Sequence, residues 1–261
     1  MYLPNLLARC AAGEKIAALT CYDASFARVL VEAGVDLLLV GDSLGMTVQG
    51  HATTLPVSLD AMRYHTEAVA RGAAGAAFIV ADLPFGSYQE SPAQAFAASV
   101  RLLAAGANMV KLEGGAVMRD TIAFLVKRGV PVCAHLGLLP QSVNQTGYRV
   151  QARDAAAAER LIADAETLAA AGASLVVLES IPAALAGETT RRLAIPTLGI
   201  GAGPDCAGQV LVLHDVLGLT PRPPRFAHDF LAECGGDIAA AIRAYVAAVK
   251  AGGFPGPAHC D

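Results

Sequence analysis

Charge is scarce in this chain of 261 residues: Asp, Glu, Lys and Arg make up 16% of it, against roughly 25% in an average soluble domain. Together with 54% hydrophobic residues, this excludes intrinsic disorder, whose signature is low hydrophobicity with high net charge. An excess of basic charge is also missing. Nineteen Lys and Arg face 23 Asp and Glu, a formal net charge of −4 with a pI near 5.9, so no nucleic acid partner is expected and a small molecule is. Mean hydropathy is +0.48, yet no continuous apolar stretch reaches the ~18 residues of a membrane span, and no membrane partner is expected. The longest uncharged run, 129–148, is broken by Pro131, Pro140, Gln141, Asn144 and Gln145 and reads as loop-rich. The six cysteines form no C-x-x-C pair and no tight Cys/His cluster, which argues against structural zinc and predicts reduced thiols. The opening MYLPNLLARCAAGEK lacks a basic start followed by a long apolar stretch and a cleavage site, so the expected setting is cytoplasmic.

What is present is a repeat of short apolar, β-branched runs and longer Ala-rich stretches with charges at helical spacing, the pattern of successive βα units on a parallel sheet. Eight strands are predicted near 16–22, 36–42, 76–82, 108–113, 131–136, 174–179, 196–200 and 209–214. Helices are predicted near 24–33, 58–72, 92–105, 118–128, 155–171 and 183–192, with a last amphipathic one near 237–250. No linker divides residues 1–261, and the length suits one (β/α)8 TIM barrel of the α/β class, typically ~250 residues. The segments EAGVDLLLVGD, AAGANMVKLE, AAGASLVVLE and GAAFIVAD each run from a helix-ending glycine through a buried strand into an acid. Glycine there supplies the left-handed conformation that stops a helix, and the acid falls at the strand's C-terminal end, the rim where barrel enzymes keep their catalytic residues.

By that placement Asp42, Asp82, Glu113 and Glu179 converge from strands two, three, four and six, joined by His135 from strand five. A single strand-end Asp serves equally well as a helix cap or turn residue. Four in matching positions repel one another unless a cation neutralises them or one keeps its proton, which suggests a hard divalent metal, most simply Mg²⁺. Lys111 is one of four lysines against fifteen arginines and lies inside NMVKLE, where a buried strand favours apolar side chains. Two residues from Glu113, it projects to the same side of the strand. A buried ion pair is the plain alternative, but the cost of desolvating both charges makes such a pair better evidence of a site than of stability.

The stretches VGDSLGMTVQGHATTLPVSLDAMRYHTEAVARGA (40–73), ADLPFGSY (81–88), GANMVKLEGG (106–115), VPVCAHLGLLPQSVN (130–144), VLESIPAALA (177–186), IPTLGIGAG (195–203), GQVLVLHDVLGL (208–219) and PRFAHDFL (224–231) closely resemble the ketopantoate hydroxymethyltransferase family, in order and over nearly the whole chain. The resemblance implies a (β/α)8 barrel that moves a one-carbon unit from 5,10-methylenetetrahydrofolate to 3-methyl-2-oxobutanoate through a Mg-stabilised enolate, giving 2-dehydropantoate for pantothenate and coenzyme A synthesis. It implies that Asp42, Asp82 and Glu113 hold Mg²⁺ directly or through water. It further implies that Ser43, Lys111 and Asp82 bind the keto acid, with Asp42 beside them, and that Glu179 is the proton acceptor. His135 would line the substrate site, with a structural strand-end histidine as the alternative. The partners implied are the keto acid, the folate and further copies of the chain in a homo-oligomer, commonly a decamer in the family. Where the family more often has a paired glycine before the tyrosine and a glycine after VQ, this chain has Thr146, Gly147 and Ala152; Ala207 stands where an aspartate is common. These departures bear on loop geometry and folate affinity and touch none of the metal or base positions.

Two segments carry a second reading. GIGAG (199–203) has the look of a phosphate cradle but lacks the full G-x-G-x-x-G spacing, and close backbone approach at a crowded rim is preferred. The long polar loop after strand five, LGLLPQSVNQTGYRVQARD, either covers the site or is plain surface. Three other functions compete: a Mg-dependent 2-oxo acid lyase or mutase barrel of the phosphoenolpyruvate mutase and isocitrate lyase group, an enzyme using Lys111 as a Schiff-base nucleophile, and a non-catalytic metabolite-binding barrel. Against the second, Glu113 beside Lys111 should raise the amine's pKa.

Overall fold

The computed structural model describes residues 1–260. Eight parallel strands, β1 (Ile16–Thr20), β2 (Leu37–Val40), β3 (Phe78–Asp82), β4 (Met109–Glu113), β5 (Val132–Gly137), β6 (Leu175–Glu179), β7 (Thr197–Ile200) and β8 (Gly208–Leu211), close into a barrel. Each pairs with the next in sequence, and β8 closes on β1 through Ile16 opposite Gly208. Every residue of β1 to β4 is buried, as expected of strands covered by helices outside and by side-chain layers within. The fold is the TIM barrel expected from the sequence, with one hydrophobic cluster running from Leu6 to Phe254.

The outer helices begin where local chemistry satisfies their free N–H groups. Asp23 accepts from Ser25 and Phe26 N–H to open Ala24–Glu32; Ser58 opens Leu59–Ala73, and Ser91 followed by Pro92 opens Pro92–Ala104. Asp154 and Asp237 do the same for Ala155–Ala170 and Ile238–Lys250. Such caps are each worth about 1 kcal/mol. The glycines closing the four repeated units, Gly34, Gly75, Gly106 and Gly172, all have positive φ, between +78° and +109°.

Three details differ from the sequence reading. The eighth strand ends at Leu211 rather than 214, and the chain turns into a short helix, Leu213–Val216, whose Leu213 N–H donates to Thr20 Oγ1 at 2.9 Å. A continuous apolar run cannot separate a buried strand from a buried helical turn by periodicity. The second strand stops at Val40, so Asp42 sits on the loop beyond it. Helices Leu3–Ala11, Leu44–Thr47, Val143–Thr146 and Phe230–Glu233 were not anticipated. In GIGAG, a Cβ on Gly201 would lie 2.5 Å from the Phe226 ring and one on Gly203 2.4 Å from Ala183 Cβ, so the glycines permit close packing at the rim.

All six cysteines are free. Among the described residues no helix is long and apolar enough to cross a membrane.

Candidate active site

Register brings the expected residues together. Asp82 on β3 lies opposite Lys111 on β4, Glu113 opposite His135 on β5, and Glu179 ends β6 opposite Gly137. With Asp42 and Ser43 from the loop after β2, they line one cavity of about 820 Å³ at the C-terminal end of the barrel, within the usual range for small-molecule sites. All seven residues singled out from the sequence face this space. Asp42, Asp82, Lys111, Glu113 and His135 are at most 5% exposed, whereas the Glu179 side chain is 15% exposed.

The charges are interlocked. Lys111 Nζ is 3.0 Å from Asp82 Oδ1 and 3.3 Å from His135 Nδ1. The imidazole lies between two carboxylates, with Nε2 3.1 Å from Glu179 Oε2 and Nδ1 3.5 Å from Glu113 Oε1. Burial, then the neighbouring charges of Asp82 and Glu113, hold the Asp42 carboxyl well above its usual range. Burial pushes Glu113 the same way but is outweighed by His135 and Lys111, and the group ends below its usual value. Burial would lower the Lys111 pKa; Asp82, Glu113 and Asp42 reverse that and raise it. A firmly protonated Lys111 is a poor imine-forming nucleophile, which counts against the Schiff-base alternative.

The sequence reading missed the groups behind the carboxylates. Gln141 is buried; its Nε2 donates to Asp42 Oδ2 at 2.8 Å and to Leu83 O at 2.9 Å, and its backbone N–H donates to Glu113 Oε2 at 3.0 Å. Tyr88 Oη donates to Gln141 Oε1 at 2.7 Å and accepts from Glu113 N–H at 3.1 Å. Tyr22 Oη and Ser43 Oγ are 2.8 Å apart. Thr54 Oγ1 and His214 Nδ1, both on the cavity wall, are buried without a hydrogen-bond partner. The available signal for Gln141 was a polar residue directly after Pro140 between apolar runs, in a segment read only as a loop. That loop borders the site: Leu138, Pro140, Tyr148, Arg149 and Val150 line the cavity. Ala152, at the family's glycine position, has φ +53°, a conformation glycine adopts without penalty.

The donor set suits a hard cation. Gln141 and the Asp42 N–H, 3.0 Å from Asp82 Oδ2, anchor one oxygen on each of Asp42, Asp82 and Glu113. The second oxygens, Asp82 Oδ1 and Glu113 Oε1, face Lys111 Nζ at 3.0 Å and His135 Nδ1 at 3.5 Å. Among the described residues no three His, Cys, Asp or Glu side chains form a ready-made cage. A metal here would take one or two carboxylates and complete its shell with water and substrate, the habit of Mg²⁺.

The profile of the ketopantoate hydroxymethyltransferase family matches residues 1–257. The chain belongs to this family. A 3-methyl-2-oxobutanoate hydroxymethyltransferase of Thiobacillus denitrificans is 67% identical over 248 residues, 95% of this chain and 94% of that protein. One of Azoarcus sp. is 61% identical over 253 residues, 96% and 93% of the two chains. Among solved structures, phosphonopyruvate hydrolase in complex with oxalate and Mg²⁺ superposes with a TM-score of 0.62 at 13% identity, covering 81% of each chain; that likeness shows the barrel fold alone. Membership in the hydroxymethyltransferase family makes the chain an enzyme and sets aside both the lyase/mutase alternative and the non-catalytic barrel.

Proposed function

We propose that this enzyme transfers a hydroxymethyl group from 5,10-methylenetetrahydrofolate to 3-methyl-2-oxobutanoate, giving 2-dehydropantoate for pantothenate and coenzyme A synthesis. The observation that carries the reading is that, in a chain of this family, Asp42, Asp82, Lys111, Glu113, His135 and Glu179 face a single cavity. Asp42, Asp82 and Glu113 would hold Mg²⁺, directly or through water. When bound, the ion supplies Lewis acidity toward an oxygen of the keto acid and offsets the carboxylate charge.

The chain's own residues account for the rest. Ser43, Asp82 and Lys111 bind and orient the keto acid at the floor of the cavity. The Lys111 ammonium, held protonated by its acidic neighbours, places positive charge where an oxygen becomes anionic as the C3 proton leaves. Glu179 is the most accessible of the four acids and takes that proton on a carboxylate oxygen; His135 Nε2, 3.1 Å from Glu179 Oε2, orients it. Water adds to the methylene carbon of the folate, whose two C–N bonds break to release tetrahydrofolate and leave a one-carbon unit at the formaldehyde level. The carbanion equivalent attacks that carbon, and the alkoxide formed takes the proton back from Glu179, giving the hydroxymethyl group without a covalent enzyme intermediate. The cavity, about 820 Å³, has room for the second, larger substrate. The setting we assign is cytoplasmic, with a homo-oligomeric assembly.

The test is exchange of the C3 proton of 3-methyl-2-oxobutanoate into heavy water, followed by NMR with Mg²⁺ and with chelator. The wild type should exchange only with metal, and Glu179→Gln should nearly abolish exchange while Mg²⁺ still binds. Rapid exchange by the variant removes Glu179 from the base role. A coupled assay with both substrates checks the overall reaction.

A further inference from the structure

We infer that Gln141 is a positioning residue that sets the geometry of the carboxylate pair Asp42 and Glu113 and ties it to the segment between β5 and β6. Gln141 does not line the cavity; it sits behind it, 5% exposed, and its side-chain amide and backbone N–H are all engaged. Its amide nitrogen donates to Asp42 Oδ2 and Leu83 O, its backbone N–H to Glu113 Oε2, and its Oε1 accepts from Tyr88 Oη and, at 3.2 Å, from Gln89 Nε2. One residue therefore spans the ends of three strands through atoms of Asp42, Leu83 and Glu113.

The two carboxylates it holds repel each other in a buried site, where charge interactions are strong. A donor presented to each keeps them in a shared orientation, and a side-chain amide with its own N–H does so without adding charge to that of Lys111. Because Gln141 takes one oxygen of each acid, the other is left for the cavity that both acids line, with His135 Nδ1 3.5 Å from Glu113 Oε1. The remaining bonds of the segment point the same way. Leu138 N–H donates to Glu179 O and Gln151 N–H to Ser180 O, each at 2.8 Å, so the segment is pinned to the end of β6 at both its limits, while Gln141 pins its first turn to the acids. Order in this segment and order among the acids are thus one structural event.

The inference rests on the reading of Asp42 and Glu113 as cation-binding groups. Gln141→Met keeps the side chain's length and bulk, removes the amide and leaves the backbone N–H in place. Titration calorimetry of Mg²⁺ into the variant should show an affinity roughly 10- to 100-fold below wild type, the usual cost of losing a hydrogen-bonding partner of a metal ligand. The fall in kcat/KM should match it, with kcat partly recovered at high Mg²⁺. Tyr88→Phe, which removes the hydroxyl behind Gln141 Oε1, should shift both quantities in the same direction by less.

A Gln141→Met enzyme with wild-type Mg²⁺ affinity and kcat/KM overturns the inference, including where its melting temperature falls, since that outcome marks a packing role only. If Gln141→Met does not fold, Tyr88→Phe decides, and unchanged Mg²⁺ affinity there is the overturning result. Wild-type enzyme that takes up no Mg²⁺ would instead overturn the cation reading. The positioning role is then judged by the affinity of both variants for 3-methyl-2-oxobutanoate, which should still fall.

Discussion

The two ends of this barrel both gather charge, and they do so in opposite ways. At the N-terminal end, below β1 and β2, buried Asp36 meets Arg9 Nη2 at 2.6 Å and Lys250 Nζ at 2.7 Å and accepts the Ala17 N–H at 2.9 Å. Glu14 pairs with the same Arg9 and Lys250. Two acids meet two bases, and every charge is answered within the chain. At the C-terminal rim, four acids converge on one lysine and one imidazole, and burial, then the charges of Asp82 and Glu113, raises the Asp42 carboxyl. A balanced buried cluster holds elements together; an unbalanced one is held together by them and is completed by something the chain does not supply. The contrast matches the division of labour in barrels, with stability at the bottom face and chemistry at the top.

If that contrast is right, neutralising charge at the two ends should produce separable losses. The largest effect is expected for Asp82→Asn, which keeps an acceptor for the Asp42 N–H but removes a charge. It should lower kcat/KM by roughly 10²- to 10³-fold and weaken Mg²⁺ and keto-acid binding together, with a melting temperature at or near wild type. Steady-state kinetics and a thermal melt on the same preparation check this. Asp36→Asn should do the reverse. Arg9 and Lys250 keep Glu14 but lose their buried charged acceptor, which costs about 2 kcal/mol, a fall in melting temperature of roughly 4–8 °C for a chain of this size, with kcat unchanged well below the transition.

Saturating Mg²⁺ should raise the melting temperature of the wild type, by an amount equivalent to about 2.7 kcal/mol at a hundredfold excess over Kd. A chelator should reverse the gain, Asp82→Asn should show little of it, and Asp36→Asn should keep all of it. The smallest effect is expected at Glu14. Its carboxyl is held down from the ordinary 4.5 to about 2, first by the Arg9 hydrogen bond and then by Lys250. A folded-state pKa below the unfolded one gives stability that is complete above 4.5 and lost as the pH falls toward 2. Glu14→Gln should therefore flatten the acid side of a plot of melting temperature against pH. Because the side chain is 41% exposed, salt should shrink the difference.

Legibility in the sequence followed the range of the interaction. The acids ending GAAFIVAD, NMVKLE and LVVLE were visible because strand length, the glycine before the strand and the acid after it lie within about ten residues of one another. The β8 boundary was misplaced because GQVLVL is apolar on both sides of the turn at Val212, and nothing local distinguishes the strand from the helical turn that follows. Asp36 was passed over as the first residue of a predicted strand, since its partners Arg9 and Lys250 come from the helices Leu3–Ala11 and Ile238–Lys250 at opposite ends of the chain. Gln141 was read as part of a loop for the same reason: the acids it holds are 28 and 99 residues away.

The sequence by itself determined the barrel and the family, and it singled out seven of the residues that line the cavity. Hydrophobic periodicity, helix caps and strand-end acids are encoded locally and repeat with each βα unit. Only the tertiary structure decided which oxygen of each carboxylate Gln141 or the Asp42 N–H anchors, and that the charges of one end are balanced while those of the other are not. Those facts depend on closure of β8 onto β1 and on the pairing register between neighbouring strands, which bring side chains distant in sequence within 3 Å of one another.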